Sequence, residues 1–337
     1  MFQNYLKSAF RNLSKNKLYT LINILGLTVG MTCFILIAFY VQYEMSYDQQ
    51  HDDVDRIYRV AQQQEGNIFR GSDSYAVTPL ILTSSLRKDF PEVEAATSLQ
   101  LLTNLLSKED KVFFERGLFA DEFTFDVFTF PVLLEGEGKT AIEDLNSIVL
   151  TKTLAEKYFG DASPIGKTIL FGNERLLTVK GVIEDVPKNH HFTYDYIVSL
   201  QNSQDYARNR EGGEYEWISN NYRSYLRLEE GYDYKELEEK MYSAYNANVL
   251  AAFERAELSF EHKFFLQPLQ DIHLHSNINF EASRNNDIRY VYLFTSITFI
   301  ILLLAAINYM NLATARSAGR SKEVGMRKVL GAKRGQL

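Results

Sequence analysis

The chain has 337 residues, and its 43 Asp and Glu outnumber its 36 Lys and Arg to give a formal net charge of -7. This acidic balance argues against a nucleic-acid partner, because nucleic-acid binding needs a basic surface. A mean hydropathy of -0.22 is that of an ordinary soluble protein, but two runs of 26 residues, 18–43 and 290–315, contain no Asp, Glu, Lys or Arg.

Residues 1–17 precede the first run and predict a cytoplasmic amphipathic helix. Apolar side chains between Phe2 and Leu13 fall on one helical face, while Lys7, Arg11 and Lys15 fall elsewhere. Such a helix would lie on the inner membrane surface or pack on another cytoplasmic element, and both interpretations stay open.

The run 18–43 predicts the first transmembrane helix, because roughly 20 apolar residues cross a hydrocarbon core of ~30 Å. It is longer than the ~7–15 apolar residues of a signal peptide, and no small-residue cleavage site follows it, so we expect a retained anchor. Within it, Gly26, Gly30 and Thr32 would either let a neighbouring helix approach closely or face lipid.

The segment 44–289 between the two runs has a net charge of -17. Four basic residues and no acid precede the first run, and seven basic residues against Glu323 follow the second. Basic flanks stay in the cytoplasm, so we expect both chain ends inside and residues 44–289 in a domain on the opposite side of the membrane. The single cysteine, Cys33, lies in the first run, which excludes an intrachain disulfide.

Periodicity within this segment predicts an α+β domain. Two short β-α-β units are expected near its ends. The first consists of strand Arg56–Gln62, helix Thr78–Lys88 and strand Val93–Leu99, with Thr78 as the helix cap and Pro79 at the first helical position. The second consists of strand Tyr222–Leu228, helix Tyr234–Glu254 and strand Lys263–Gln267. The region between is mostly β, with strands at Phe113–Phe119, Ser147–Leu150, Thr168–Phe171 and Leu176–Val182, a helix at Thr151–Tyr158 and a loop at Arg208–Glu216. The predicted domain is therefore an α/β part that is split by a mostly β insertion.

No motif in the chain predicts catalysis. The stretch Gly160–Thr168 has five residues between its glycines where a phosphate-binding loop has four, and it follows a helix, so it indicates a glycine turn. His190 and His191, like His273 and His275, lack the neighbouring carboxylate or cysteine spacing of a zinc site, so they are expected to be exposed or structural. We therefore expect no enzyme activity, no cofactor and no metal.

The run 290–315 predicts the second transmembrane helix, and the segment 316–337 after it is strongly basic. Gly325 and Gly331 are expected to break that segment. Its basic side chains would be attracted to anionic membrane lipid, at ~1 kcal/mol for each.

Ser321–Ala332 resembles the cytoplasmic coupling segment of the FtsX/MacB family of ABC transporter permeases. The pattern R-[ST]-x-E-[IV]-G-[IVM]-[RK]-[KR]-x-[LI]-G-A matches it closely. The outer domain is similar to the MacB-like periplasmic core domain at 125–128, 147–151, 157–160, 164–167 and 179–187, and the N-terminal helix and first span match as well.

The resemblance implies a permease subunit, in its N-terminal part, of an ABC-type exporter or mechanotransmission complex in the bacterial inner membrane. It implies a porter-like subdomain at 56–111 and 217–270, a sabre-like subdomain at 112–216, and ATP hydrolysis in a separate cytoplasmic ATP-binding subunit. A second permease half or a homodimer partner is expected, with a periplasmic adaptor or outer-membrane components as further partners. The implied ATPase-coupling residues are Arg320, Lys322, Glu323, Val324, Gly325, Met326, Arg327, Lys328, Leu330, Gly331 and Ala332.

Family members continue with two more membrane helices, whereas this sequence stops five residues after Ala332. We therefore expect a fragment, a truncated product or a split subunit. A two-span receptor with an extracytoplasmic sensor domain is the alternative, but the short tail carries no heptads or signalling module. A membrane-anchored enzyme would need a catalytic constellation that the sequence lacks. The sequence does not distinguish peptide, antibiotic or lipoprotein substrates.

Overall fold

The structure, a computed structural model, describes residues 17–209, 213 and 216–330. The described residues divide into two compact units, one within residues 17–45 and 288–330 and the other within residues 46–287. The predicted helix at 2–13 lies outside the described residues.

Along the sequence, a long helix at each end flanks a region in which shorter helices alternate with strands. The helices are α1 (Lys17–Glu44), α2 (Ile81–Asp89), α3 (Thr124–Val127), α4 (Thr140–Glu143), α5 (Lys152–Phe159), α6 (Gln204–Asn209), α7 (Tyr234–Arg255), α8 (Ile272–His275) and α9 (Ile288–Val329). The strands are β1 (Ile57–Glu65), β2 (Ser74–Tyr75), β3 (Thr78–Pro79), β4 (Val93–Lys108), β5 (Lys111–Ala120), β6 (Leu133–Gly136), β7 (Ser147–Thr151), β8 (Thr168–Phe171), β9 (Arg175–Ile183), β10 (Tyr196–Ser199), β11 (Asn220–Leu228) and β12 (Glu261–Pro268).

The strands of the second unit form one sheet with the order β12-β1-β11-β4-β5-β10-β7-β9-β6. β11 pairs antiparallel with β1 and with β4, and β1 pairs antiparallel with β12. Strand β11 therefore lies between β1 and β4 of the first predicted β-α-β unit, and β1 lies between β11 and β12 of the second. This is the ferredoxin-like arrangement. The long strand β4 joins these strands to the rest of the sheet, because its residues from Leu99 onward pair with β5.

Helices α2 and α7 cover one face of the ferredoxin-like strands. Leu237, Met241, Tyr245 and Val249 recur every four residues on α7, which places them on one helical face, and all are buried. They pack with Leu82 and Leu86 of α2 and with the strand residues Val60, Ala96, Leu226 and Leu266. The opposite face is covered by Phe125, Phe128 and Phe192 from the region between β5 and β10.

The first unit consists of α1 and α9. Their segments Ile24–Glu44 and Ile288–Asn311, each with a mean hydropathy of 2.3, are long and apolar enough to span a membrane. A Cβ placed on Gly30 would lie 3.3 Å from the Ala305 Cβ, and one on Gly26 would lie 3.1 Å from the Asn308 Nδ2. These glycines therefore allow α9 to approach closely, whereas Thr32 is exposed.

The start of the predicted helix at Thr78 is wrong. Thr78 and Pro79 form the short strand β3 on β11, and the helix begins at Ile81. The buried Thr78 hydroxyl contacts the Ser224 hydroxyl at 2.6 Å, so it is used between strands and does not cap a helix. By contrast, Thr151 caps α5 by accepting a hydrogen bond from the Leu154 N–H.

The predicted break at Gly325 is also wrong, because α9 runs through it to Val329. The Leu330 N–H donates to the Met326 carbonyl oxygen at 3.0 Å, so the helical bonding continues beyond the glycine. A single glycine costs a helix only about 1 kcal/mol, which good helix formers on either side offset. Of the predicted loop, Arg208 and Asn209 instead end α6.

Candidate functional site

Three segments of the outer domain meet at one place, which we call the junction: residues 46–53, residues 187–194 and residues 276–287. The first leads from α1 to the sheet, and the third leads from α8 to α9. The second connects β9 to β10. The junction thus contains the segment that follows α1 and the segment that precedes α9.

Hydrogen bonds join the first two segments. The Asp48 N–H donates to the Asn189 carbonyl oxygen at 3.0 Å, and the Asn189 side-chain amide donates to the Ser46 carbonyl oxygen at 2.9 Å. The His191 N–H and ring Nδ1 both contact Asp48 Oδ1, at 3.0 and 2.9 Å. The residues that follow α1 are therefore fixed to residues 189–191.

The third segment is fixed to the same loop and to the sheet. The Ser283 hydroxyl donates to the His191 carbonyl oxygen at 2.7 Å. Glu281 forms an ion pair with Arg59 of β1 at 2.5 Å, and Arg223 of β11 donates to the Phe280 carbonyl oxygen at 3.0 Å. Arg59 is 1% exposed and the Glu281 side chain is 13% exposed, so the ion pair is largely removed from solvent.

A buried polar cluster lies at the centre of the junction. The His51 and His190 Nε2 atoms are 3.1 Å apart, and His190 Nδ1 lies 3.4 Å from Asp48 Oδ1. His191 Nε2 contacts the Tyr225 hydroxyl at 2.8 Å. Among the residues that the structure describes, neither Asp48 Oδ2 nor His51 Nδ1 has a hydrogen-bond partner.

Burial and neighbouring charges set the ionisation of this cluster. Burial acts to raise the pKa of Asp48, but the adjacent His191 and His190 outweigh it and lower the pKa to about 2. Burial lowers the pKa of His51 to about 4, against the opposing effect of Asp48. Burial, with a contribution from His191, also holds the pKa of His190 well below its usual value. Asp48 is therefore ionised at neutral pH, while His51 and His190 are neutral.

An apolar cavity of about 210 Å³ adjoins the cluster. His51 and His190 are part of its wall, together with the buried rings of Phe125, Phe128 and Phe192. The exposed residues Gln50 and Val132 also line it, so the cavity reaches the surface of the domain. It can take a small apolar group next to two imidazoles.

The predicted coupling residues lie elsewhere, on α9. Arg320, Lys322, Glu323, Val324, Gly325, Met326, Arg327 and Lys328 all lie within this helix, Leu330 directly follows it, and Gly331 and Ala332 are outside the described residues. Met326, Lys328 and Leu330 are exposed. The structure therefore presents the motif as the continuation of a membrane-length helix.

Asp48 and His51 were not predicted from the sequence, and His190 and His191 were expected to be exposed or structural. Asp48 and His51 lie 139 to 143 residues before their partners, and only the folded chain brings the four together. The stretch Gly160–Thr168 is the expected turn, with Gly160 at φ +64° and Gly166 at φ +75°.

The family model of the MacB-like periplasmic core domain matches residues 20–243. A domain assigned to a permease protein from Porphyromonas gingivalis is 20% identical, with 72% of this chain and 99% of that chain covered and a TM-score of 0.53. The periplasmic region of MacB from Actinobacillus actinomycetemcomitans is 15% identical, with coverage of 64% and 90% and a TM-score of 0.44. The extracellular domain of the noncanonic ABC-type transporter YknZ from Gram-positive bacteria is 13% identical, with coverage of 62% and 99% and a TM-score of 0.41.

The likeness to the Porphyromonas domain concerns the fold alone, given its low identity. No curated protein sequence matches the chain.

Proposed function

This chain belongs to the MacB/FtsX-like family of ABC transporter permeases, and we propose that within such a transporter it passes ATPase-driven motion from the cytoplasm to its outer domain. It is a membrane protein in which two apolar helices flank an extracytoplasmic α+β domain.

The observation that carries the proposal is the continuity of α9. The helix contains 42 residues from Ile288 to Val329, and its apolar segment ends at Asn311. The 18 residues from Leu312 to Val329 would extend about 27 Å beyond that segment. A continuous helix transmits a push or a tilt along its axis, whereas a glycine break would absorb it.

The junction supports the same proposal at the other end of the spans. Residues 46–53 and 276–287 are the segments through which the chain enters and leaves the outer domain, and both are hydrogen-bonded to residues 189–191. A displacement of either segment would therefore act on a common loop between β9 and β10. This is an arrangement suited to receiving motion from two helices at once.

The proposal extends to topology and partners. We infer from the basic flanks that both chain ends lie in the cytoplasm, where the coupling residues Arg320–Ala332 would lie beside a separate ATP-binding subunit. A second permease half or a homodimer partner would complete the membrane part, and a periplasmic adaptor or outer-membrane component would receive the motion. Within the outer domain, residues 56–111 and 217–270 would act as the porter-like part and 112–216 as the sabre-like part.

Charge reversal in the coupling segment tests the proposal. The full chain and its cognate ATP-binding subunit are reconstituted together in lipid nanodiscs, and ATP hydrolysis is measured with and without the permease. We expect the double variant Arg327→Glu/Lys328→Glu to lose most of the stimulation and to co-purify with less ATP-binding subunit.

A matched control reverses two exposed basic residues of the outer domain, Arg70→Glu/Lys152→Glu. That variant should stimulate hydrolysis like the wild type. Equal binding and equal stimulation by all three proteins would rule out coupling through this segment.

A further inference from the structure

The buried group of Asp48, His51 and His190 has the composition of a metal-ion site. One ligand atom from each residue lies within 4.8 Å of the other two, and each side chain is less than a tenth exposed. Two imidazoles with one carboxylate are ligands typical of Zn²⁺ and related transition-metal ions. Ca²⁺ and Mg²⁺ instead prefer oxygen ligands alone.

The two histidines already face each other at nearly the separation that a shared ion requires. Their Nε2 atoms are 3.1 Å apart. Two nitrogens bound to one tetrahedral Zn²⁺ at about 2.0–2.1 Å lie about 3.3 Å apart. Without an ion, one hydrogen bond joins the two Nε2 atoms. An ion would replace this hydrogen bond by two metal–nitrogen bonds.

The surroundings of Asp48 are those of an oriented metal ligand. Its Oδ1 accepts hydrogen bonds from the His191 N–H and ring Nδ1, and His191 is held in turn by the Tyr225 hydroxyl. Its Oδ2 is buried, and no described residue donates to it. Outer hydrogen bonds of this kind fix the orientation of ligating carboxylates and histidines in metalloproteins.

The His190 ring turns its Nε2 toward His51 and its Nδ1 toward the backbone. The Nδ1 accepts a hydrogen bond from the Phe192 N–H at 3.2 Å, so coordination through Nε2 would move the ring proton to Nδ1 and replace that hydrogen bond. His51, with an unpartnered Nδ1 among the described residues, gives up no other hydrogen bond when its Nε2 turns to an ion.

We propose that Asp48, His51 and His190 form a binding site for a divalent transition-metal ion, with Zn²⁺ as the expected occupant. The cavity wall that contains His51 and His190 gives the ion access from the surface and leaves a coordination position for water. The ion joins residues 46–53 to residues 187–194 and so strengthens one attachment of the junction. The proposal is independent of coupling to an ATPase.

Zinc titration of the full chain tests the site. The protein is purified in detergent without a polyhistidine tag, stripped with EDTA and titrated with Zn²⁺ against a chromophoric chelator. We expect one ion per chain, with affinity at least about 10-fold weaker in His51→Gln and in His190→Gln and with no competition from excess Ca²⁺. Asp48→Asn, which keeps the size and the Oδ1 acceptor, should also weaken binding.

Two controls and one spectroscopic measurement keep the result decisive. His262→Gln replaces another buried histidine, His275→Gln replaces an exposed one, and both should bind Zn²⁺ like the wild type. X-ray absorption of the zinc-loaded wild type should show two imidazole ligands, whether or not the variants fold. Wild type that binds no Zn²⁺, a spectrum with fewer than two imidazoles, or unchanged binding by the double variant His51→Gln/His190→Gln would overturn the site.

Discussion

His262 is a buried histidine of β12, outside the junction. Its Nε2 contacts the Gln62 Oε1 at 3.1 Å, and it is 5% exposed. Burial lowers its pKa from the usual 6.5 to about 4. The folded domain therefore holds this ring neutral at a pH where the unfolded chain would protonate it.

This pKa shift predicts an acid-sensitive stability. Above pH 6.5 the ring is neutral in both states and has no effect on the pH dependence. Between pH 6.5 and 4 the unfolded chain binds the extra proton, so the free energy of unfolding falls as the pH is lowered, by up to about 3 kcal/mol.

The measurement is urea unfolding of the full chain in detergent at pH 7 and pH 5, followed by the fluorescence of the single tryptophan, Trp217. His262→Gln should lose less stability between the two pH values than the wild type, and the exposed-site control His275→Gln should behave like the wild type. If His262→Gln and the wild type lose the same stability, the ring is not held neutral by burial.

The ion pair of Arg59 and Glu281 joins the segment before α9 to strand β1. Arg59 also donates to Gln267 Oε1 at 2.5 Å and to the Ser276 hydroxyl at 2.8 Å. Removing one partner of a buried pair leaves the other charge uncompensated, at a cost of about 3–5 kcal/mol. We expect Arg59→Met to destabilise the outer domain by that amount in urea unfolding.

A double variant separates the ion pair from simple packing. Arg59→Met/Glu281→Leu removes both charges, so it should be more stable than Arg59→Met alone. A double variant that is less stable than the single one would show that Glu281 is not destabilised by the loss of Arg59.

Single-residue features were predictable where they depend on neighbours in the sequence. The glycine turn at Gly160 was expected from its place between a helix and a strand, and the helix expected at Thr151–Tyr158 lies one residue later, with Thr151 as its cap. The site at Asp48 and His190 was not predictable, because its members meet only through the path of the chain across the sheet. Because Asp48 and His51 are so far from His190 in the sequence, the three residues form no local sequence pattern.

Helices α1 and α9 contact through small residues. Gly26 and Gly30 are four residues apart on α1, and the Tyr40 ring meets the Phe294 ring edge-on with centroids 5.3 Å apart. In lipid, such pairs of helices associate through close backbone approach, because burial from water is no longer available as a driving force.

We expect Gly30→Ile to separate the two helices. The new side chain would overlap Ala305 and Ile301, and overpacking of this kind typically costs about 1–3 kcal/mol. The measurement uses a Cys33→Ser background with Tyr40→Cys and Phe294→Cys, and scores the yield of the oxidative cross-link in nanodiscs. The yield should drop in Gly30→Ile.

Ala38→Ile is the matched control, since Ala38 is exposed on α1 and the same bulk there would face lipid. Its cross-link yield should equal that of the background protein. Equal yields in both variants would mean that the glycine surface does not hold the helices together.

Elements were predictable from periodicity, but their order in the sheet was not. The strand at 168–171 was expected with the same bounds, and the helix expected at Tyr234–Glu254 ends one residue later, at Arg255. That β11 lies between β1 and β4 depends on pairing across more than 100 residues, which hydrophobic patterns do not encode. The helix α9 continues through Gly325, against the expected break, because the cost of one glycine is small beside that of ending a long helix.

Across the whole molecule, transmission of motion requires that α9 connect the coupling segment to the outer domain as one stiff helix. Gly325 is the position where stiffness can be changed without altering a contact, since a Cβ there meets no described atom within 4 Å. Alanine would strengthen the helix by about 1 kcal/mol, and proline would break it at a cost of about 3 kcal/mol or more.

The most direct measurement is therefore ATP hydrolysis by the cognate ATP-binding subunit, reconstituted in nanodiscs with the wild-type chain, Gly325→Ala or Gly325→Pro. We predict stimulation by Gly325→Ala that equals or exceeds that of the wild type, and stimulation by Gly325→Pro reduced at least about 10-fold although the chain still inserts and folds. Full stimulation by a correctly inserted Gly325→Pro would contradict transmission through α9, because motion would then reach the outer domain without a continuous helix.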